Sequence, residues 1–112
     1  MSCIFCKIVG GQIPTNALFR DERAVAFADL SPQAPTHFLV IPTKHLDSLE
    51  AATSDDAALL GHLLDVCRRV AAEQGLGDGY RVVTNIGAHG GQSVFHLHLH
   101  VLGGRYLGWP PG

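Results

Sequence analysis

Val94-Phe95-His96-Leu97-His98-Leu99-His100-Val101 is the most informative stretch of this 112-residue chain. From Phe95 onward apolar and imidazole side chains alternate, which is the two-residue period of a β-strand. On a strand, Phe95, Leu97, Leu99 and Val101 line one face and His96, His98 and His100 the other, with successive imidazoles roughly 6.6 Å apart. A half-buried strand with an ordinary polar face is the plain alternative, but Thr, Lys or Glu fill such positions more readily than three histidines in register. One ion is a poor fit to all three, because the outer pair lie about 13 Å apart along an extended strand, while metal–nitrogen bonds span about 2 Å. Two of the three could share a metal. The other reading makes the central histidine a nucleophile or base whose tautomer and charge its neighbours control.

Immediately upstream, Asn85-Ile86-Gly87-Ala88-His89-Gly90-Gly91-Gln92-Ser93 brings glycine amides that allow close approach of a ligand, with polar side chains at Asn85, Gln92 and Ser93. It matches neither common glycine-rich nucleotide motif. Alone it reads as a hairpin connection; beside three histidines it reads as a phosphate cradle.

Further out, residues 17–20 and 24–28 predict a hairpin around Asp21-Glu22-Arg23. The two prolines in residues 31–36 form a loop leading into a mostly apolar strand over 37–41. Leu59, Leu60, Leu63, Leu64, Cys67, Val70 and Ala71 recur at helical spacing within residues 53–74. Thr53 or Ser54 caps that helix, and Gly75 stops it. Residues 80–84 predict a strand, 93–102 the last strand, 3–9 a short helix, and 103–112 an irregular tail. Strands that follow one another without helical crossovers predict a largely antiparallel, about five-stranded sheet in an α+β fold with one long and one short helix. The length predicts one domain over residues 1–112.

Composition removes several functions. Ten acidic against eight basic residues give a net charge of −2, the opposite of the basic footprint that binds duplex nucleic acid. No apolar run approaches the roughly 20 residues needed to cross a bilayer, and the opening residues lack a secretory pattern. Cys3-x-x-Cys6 with a lone Cys67 predicts reduced thiols used for metal or redox chemistry in the cytoplasm.

His96-Leu97-His98-Leu99-His100-Val101-Leu102 resembles the alternating motif of the histidine triad superfamily. Its nucleotide-binding branch is further matched by Asp29-Leu30-Ser31-Pro32-Gln33-Ala34-Pro35-Thr36-His37, by Gly90-Gly91-Gln92-Ser93 and by the ending Trp109-Pro110-Pro111-Gly112. The resemblance spans essentially the whole chain. It implies a homodimer that hydrolyses the P–N bond of adenosine 5′-phosphoramidates and related purine nucleoside monophosphate conjugates. His98 is then the nucleophile, forming a nucleotidyl-histidine. His96 orients it through its backbone carbonyl, and His37 and His100 stabilise the phosphate. Ser93 meets the leaving group, with Asn85, Gly91 and Gln92 around the phosphate and Asp29 on the ribose. Phe5, Ile8, Phe27 and Leu30 wall the purine, although each has an ordinary core reading, and Trp109 reaches towards a partner subunit's site. His100, where the transferase branch typically has Gln, implies hydrolysis rather than nucleotidyl transfer.

The resemblance also implies a structural zinc on Cys3, Cys6, His45 and His96, as in some bacterial relatives, and no organic cofactor. Four protein ligands leave zinc no open position; two small cysteines packing a short helix are the alternative. Two competing functions are a nucleotide-binding interaction protein with vestigial catalysis and a zinc hydrolase that uses the triad as ligands. His62 and His89 have no role at this level.

Overall fold

In the computed structural model, which describes residues 3–112, a short helix α1 (Ile4–Val9) is followed by strands β1 (Ala17–Arg20), β2 (Ala24–Ala28) and β3 (Thr36–Pro42). The long helix α2 (Ala57–Glu73) then leads to β4 (Tyr80–Val83) and β5 (Leu99–Gly103). The strands form one antiparallel sheet in the order β1-β2-β3-β5-β4. This is the expected α+β architecture. Among the described residues no helix is long and apolar enough to cross a membrane.

Strands β2 and β3 are apolar on both faces because the sheet is covered on both. Ala24, Ala26, Phe38 and Val40 face α2, whose Leu63, Val66, Cys67, Val70 and Ala71 form the larger core with Leu99 and Val101. The alternate residues Val25, Phe27, Leu39 and Ile41 face the other way, onto Phe5 and Ile8 of α1. Each such side chain fully buried contributes about 1.5–3 kcal/mol. Leu64 lies outside this seam, 55 % exposed, although its spacing places it with the apolar face.

Helix α2 starts later than its periodicity predicts, because residues Ser54–Asp56 form a tighter 3-10 turn in front of it. Thr53 caps this turn, its hydroxyl accepting from the amide of Asp55 at 3.3 Å, while the Asp56 carboxylate accepts from the amide of Thr53 at 3.0 Å. The same carboxylate takes the Lys44 ammonium at 2.7 Å. That hydrogen bond, with the one from Thr53, holds Asp56 below the usual carboxylate range. Further along α2, Arg68 pairs with Asp65 at 2.7 Å.

The last strand is the main correction. Expected over residues 93–102, it begins only at Leu99. In the observed register Thr36 lies opposite Gly103 and Val40 opposite Leu99, so continuation would set Pro42 opposite Leu97. Pro42 has no amide to offer, and its carbonyl is taken by the Nε2–H of His96 at 2.9 Å. The amide of Leu97 turns to the carbonyl of Leu46 at 2.6 Å instead. Phe95 leaves the core face and is 58 % exposed. The histidines therefore do not stand in an evenly spaced row: His98 and His100 have ring centroids 5.0 Å apart, while His96 packs against His45 at 4.8 Å.

Candidate functional site

The interior strands β3 and β5, with the segment leading into β5, carry a chain of imidazoles whose tautomers are dictated by backbone groups. The carbonyl of His96 lies 2.7 Å from Nδ1 of His98. A carbonyl only accepts, so Nδ1 carries the proton and Nε2 of His98 holds a free lone pair. The carbonyl of His98 is in turn held by the Thr84 hydroxyl at 2.9 Å. Phe5 packs edge-on against His98 at 5.2 Å, and His98 is 5 % exposed.

On the neighbouring strand, Nδ1 of His37 accepts the amide of Gln33 at 3.0 Å. Its proton is therefore on Nε2, which donates to Nδ1 of His100 at 2.9 Å and lies 3.4 Å from the Asp29 carboxylate. His100 is left to carry its own proton on Nε2. Two backbone groups thus set complementary roles, a lone pair on His98 and an N–H donor on His100.

Burial, followed by the neighbouring His98 and His37, pushes His100 down to about 4 against an opposing pull from Asp29. The unfolded chain takes up this proton near pH 6.5, so the neutral form stabilises the fold above that pH. The contribution is lost as pH falls from 6.5 through about 4. Urea unfolding across this window should show stability declining more steeply in wild type than in His100→Gln. Equal slopes would contradict the assignment.

The remaining expected residues divide. Asn85 is half-buried and Ser93 exposed. Gly91 has φ of 79°, and a Cβ on Gly90 would strike the carbonyl oxygen of Ile86, so this turn requires glycine. Gln92 departs from expectation, since its amide is committed to the loop itself. Its Oε1 accepts from the amide of Gly87 at 2.9 Å, and its Nε2 donates to the carbonyls of Asp47 and Val94 at 2.6 and 3.0 Å. One oxygen of Asp29 accepts from the amide of Ser31 at 2.8 Å. Phe5, Ile8 and Phe27 are core residues as much as a wall, with only 5–7 % exposure. Leu30 and Trp109 are open, at 98 % and 81 %.

A second constellation joins distant parts of the chain. Ligand atoms of Cys3, Cys6, His45 and His96 all lie within 4.8 Å of one another. Sγ of Cys3 is 3.4 Å and Sγ of Cys6 3.5 Å from Nδ1 of His96, and Nδ1 of His45 is 3.2 Å from Cys6 Sγ and 3.1 Å from His96 Nδ1. A tetrahedral zinc with bonds of about 2.1 Å to nitrogen and 2.3 Å to sulfur separates its ligand atoms by roughly 3.3–3.8 Å. The outer nitrogens are also placed as metal-binding imidazoles require: Nε2 of His96 faces the Pro42 carbonyl, and Nε2 of His45 meets the Asp47 carboxylate at 2.8 Å. Both Nδ1 atoms then turn lone pairs towards each other, a repulsion that a cation between them converts into ligation. Burial and the neighbouring Cys3 hold the Cys6 thiol above its ordinary value, which a cation reverses. The donor set fits zinc. Cys67 takes no part; burial in the core pushes it up to about 12, leaving it inert.

Several contributors escape motif reading. Thr84, the Pro42 carbonyl and Asp47 hold site histidines though nothing in their local sequence marks them, and the Gln33 amide does so from within the Asp29–His37 stretch. His62 also has a role here, structural rather than chemical: it ties α2 to the β1–β2 turn through Asp21 at 2.7 Å. His89 is exposed on the glycine loop.

Residues 2–108 match the family described as "Scavenger mRNA decapping enzyme C-term binding". An uncharacterised HIT-like protein of Synechocystis sp. is 55% identical over 109 residues, covering 97% of this chain and 96% of that one. A HIT family hydrolase from Legionella pneumophila superposes with a TM-score of 0.97 at 47% identity, over 99% of this chain and 100% of that one. A histidine triad protein from Clostridium difficile does so with a TM-score of 0.92 at 45% identity, over 96% and 95%.

Proposed function

Because this chain belongs to the HIT-like family of histidine triad proteins, we propose that it is a purine nucleoside phosphoramidase. Similar structures named as HIT family hydrolases support a hydrolase in general. The observation that carries the finer reading is the 2.7 Å hydrogen bond from His98 to the His96 carbonyl, which puts the lone pair of the neutral imidazole on Nε2, the nucleophilic atom.

In this reading Nε2 of His98 attacks the α-phosphorus of an adenosine 5′-phosphoramidate and the P–N bond breaks, the nitrogen keeping the bonding pair and taking a proton from solvent, which the hydrolytic water returns in the next step. Water then cleaves the nucleotidyl-histidine, releasing the nucleoside monophosphate and restoring the imidazole. The Nε2–H of neutral His100 stabilises the phosphoryl oxygens as charge develops, and His37 supports it by donating to Nδ1 of His100. Asn85 and the Gly91 backbone complete that cradle, which the Gln92 side chain holds in shape. Asp29 takes the ribose hydroxyls through its remaining oxygen. The purine lies over Leu30 and the rims of Phe5, Ile8 and Phe27. Ser93 serves the leaving group, and it also lines a cavity of about 510 Å³ with Cys3, Ile4, His45, Asp47, Val94 and Phe95. The protein should convert adenosine 5′-phosphoramidate to AMP and free ammonia, followed by chromatography; the absence of AMP would overturn the assignment. A zinc hydrolase built on the triad is disfavoured, because His96 belongs to one donor cluster and His100 to another.

We further assign zinc to Cys3, Cys6, His45 and His96. Bound there, it supplies a cross-link between α1 and the strand region rather than Lewis-acid chemistry, since protein atoms fill all four positions.

The active unit in this reading is a homodimer. Strand β4 is an edge strand whose Tyr80 and Val82 are 40 % and 38 % exposed, an unpaired ladder that a second copy satisfies. Beside it, Leu49, Leu60, Leu64, Val82 and Leu97 line an almost wholly apolar groove, which accounts for Leu64 being outside the core. The exposed Trp109 lies on the nearby tail, pinned where the Arg81 guanidinium donates to the Gly108 carbonyl at 2.7 Å. Sedimentation should give a dimer for wild type and a monomer for Val82→Lys. A monomeric wild type would refute this part.

A further inference from the structure

The two constellations share one residue. His96 contributes Nδ1 to the sulfur–imidazole cluster, Nε2 to the Pro42 carbonyl, and its own backbone carbonyl to Nδ1 of His98. It is 0 % exposed. No sheet ladder holds its backbone, because β5 begins only at Leu99. The carbonyl that sets the nucleophile's tautomer is held from two sides, by the ring of the same residue and by the Leu97 amide of the same peptide unit, which donates at 2.6 Å to the carbonyl of Leu46, the neighbour of His45.

We propose that Cys3, Cys6 and His45 are positioning residues for catalysis: by ligating zinc together with His96 they fix the carbonyl that orients His98. This rests on the zinc assignment and the phosphoramidase reading above. None of the three touches the reacting atoms in this scheme. Their effect reaches the nucleophile through one imidazole and one peptide group. With four ligands, the ring of His96 has two independent anchors, the cation at Nδ1 and Pro42 at Nε2. With the ligands lost, the ring keeps only the Pro42 bond, and both the ring and the His45–Leu46 segment that holds its peptide unit gain freedom. His98 then samples the other tautomer, in which Nε2 carries the proton and cannot attack. Substrate binding changes little, because Asp29, Leu30, Asn85 and Phe27 belong to other segments, and Phe5 and Ile8, which share α1 with the cysteines, are held by core packing on Val25, Phe27, Leu39 and Ile41.

The test uses Cys3→Ser. Cys3 caps α1, its sulfur accepting from the amide of Cys6 at 3.3 Å, and serine preserves a capping oxygen while being a poor zinc ligand. Three quantities are measured on the full-length protein: zinc per chain by mass spectrometry, kcat and KM for adenosine 5′-phosphoramidate, and the ¹⁵N resonances of the His98 ring. Wild type should carry about one zinc per chain and a single His98 tautomer with Nδ1 protonated. Cys3→Ser should lose zinc, lose kcat by about 10- to 100-fold with KM nearly unchanged, and show mixed His98 tautomers. Cys3→His, which restores a fourth ligand, should recover all three. If Cys3→Ser fails to fold, wild type stripped by a chelator and reloaded with zinc gives the same readings. A metal-free protein that keeps its kcat and a single His98 tautomer overturns the positioning role and leaves the zinc assignment standing. A wild type purified with added zinc but carrying none overturns the zinc assignment itself, and with it this proposal. Zinc-dependent His98 tautomers in a protein that releases no AMP overturn the phosphoramidase reading and retain the coupling between the two sites.

Discussion

His98→Ala should lower turnover of adenosine 5′-phosphoramidate by at least about 10³-fold, the scale expected when a covalent nucleophile is removed while binding groups remain. The reason is geometric. His98 is the triad imidazole whose Nδ1 is capped by a carbonyl, so the lone pair of its neutral ring lies on Nε2. Neither neighbour replaces it: Nε2 of His96 is bound to the Pro42 carbonyl, and Nε2 of His100 carries a proton because its Nδ1 accepts from His37. Nucleotide affinity should change little, since the ribose and purine contacts lie on other elements. Steady-state kinetics, with AMP titrated into both proteins by calorimetry, separates the two effects. A variant retaining more than a tenth of wild-type kcat would exclude the nucleotidyl-histidine route.

The largest effect on stability is expected from Phe38→Ala, a loss of about 3–5 kcal/mol. Phe38 is 1 % exposed and belongs to the core between the sheet and α2. It is paired with Ala28 on β2 and Val101 on β5, so both flanking strands are ladder-bonded and resist collapsing into the space that the ring vacates. Such a loss is a large part of the 5–15 kcal/mol that a domain commonly has. The same strand carries His37 and, across from Leu39, His100, so activity should fall in step with the folded fraction. Urea unfolding measures the change, and a loss under 1 kcal/mol would show that the core relaxes around this position.

Much of the fold is legible locally because its signals are local. The helical recurrence from Leu59 to Ala71, the paired turn residues at Asp21 to Arg23 and the two-sided apolar strand after Pro35 each follow from a few neighbouring side chains. The antiparallel order follows from the short connections between β1, β2 and β3. Two readings fail for a shared reason. Alternation from Phe95 to Val101 describes a strand, yet the ladder stops at Leu99 because Pro42 on β3, more than fifty residues earlier, has no amide to pair. Leu64 has core spacing but faces the apolar groove beside β4, since the width of a helix's apolar stripe does not say how much of it the sheet covers.

The site divides in the same way. Residue types and their spacing alone mark a triple-histidine segment, a glycine-rich loop before it, and a Cys-x-x-Cys pair, because chemistry-bearing side chains are visible wherever they lie in a chain. Only the tertiary structure decides which nitrogen of each imidazole carries the proton, for that depends on the backbone groups of Pro42, Gln33 and His96 that meet the rings. It alone brings Cys3 and Cys6 to His45 and His96, positions separated by 39 to 93 residues. A one-dimensional pattern records what each residue can do; packing against distant carbonyls and amides selects the one protonation state and the one partner that it uses.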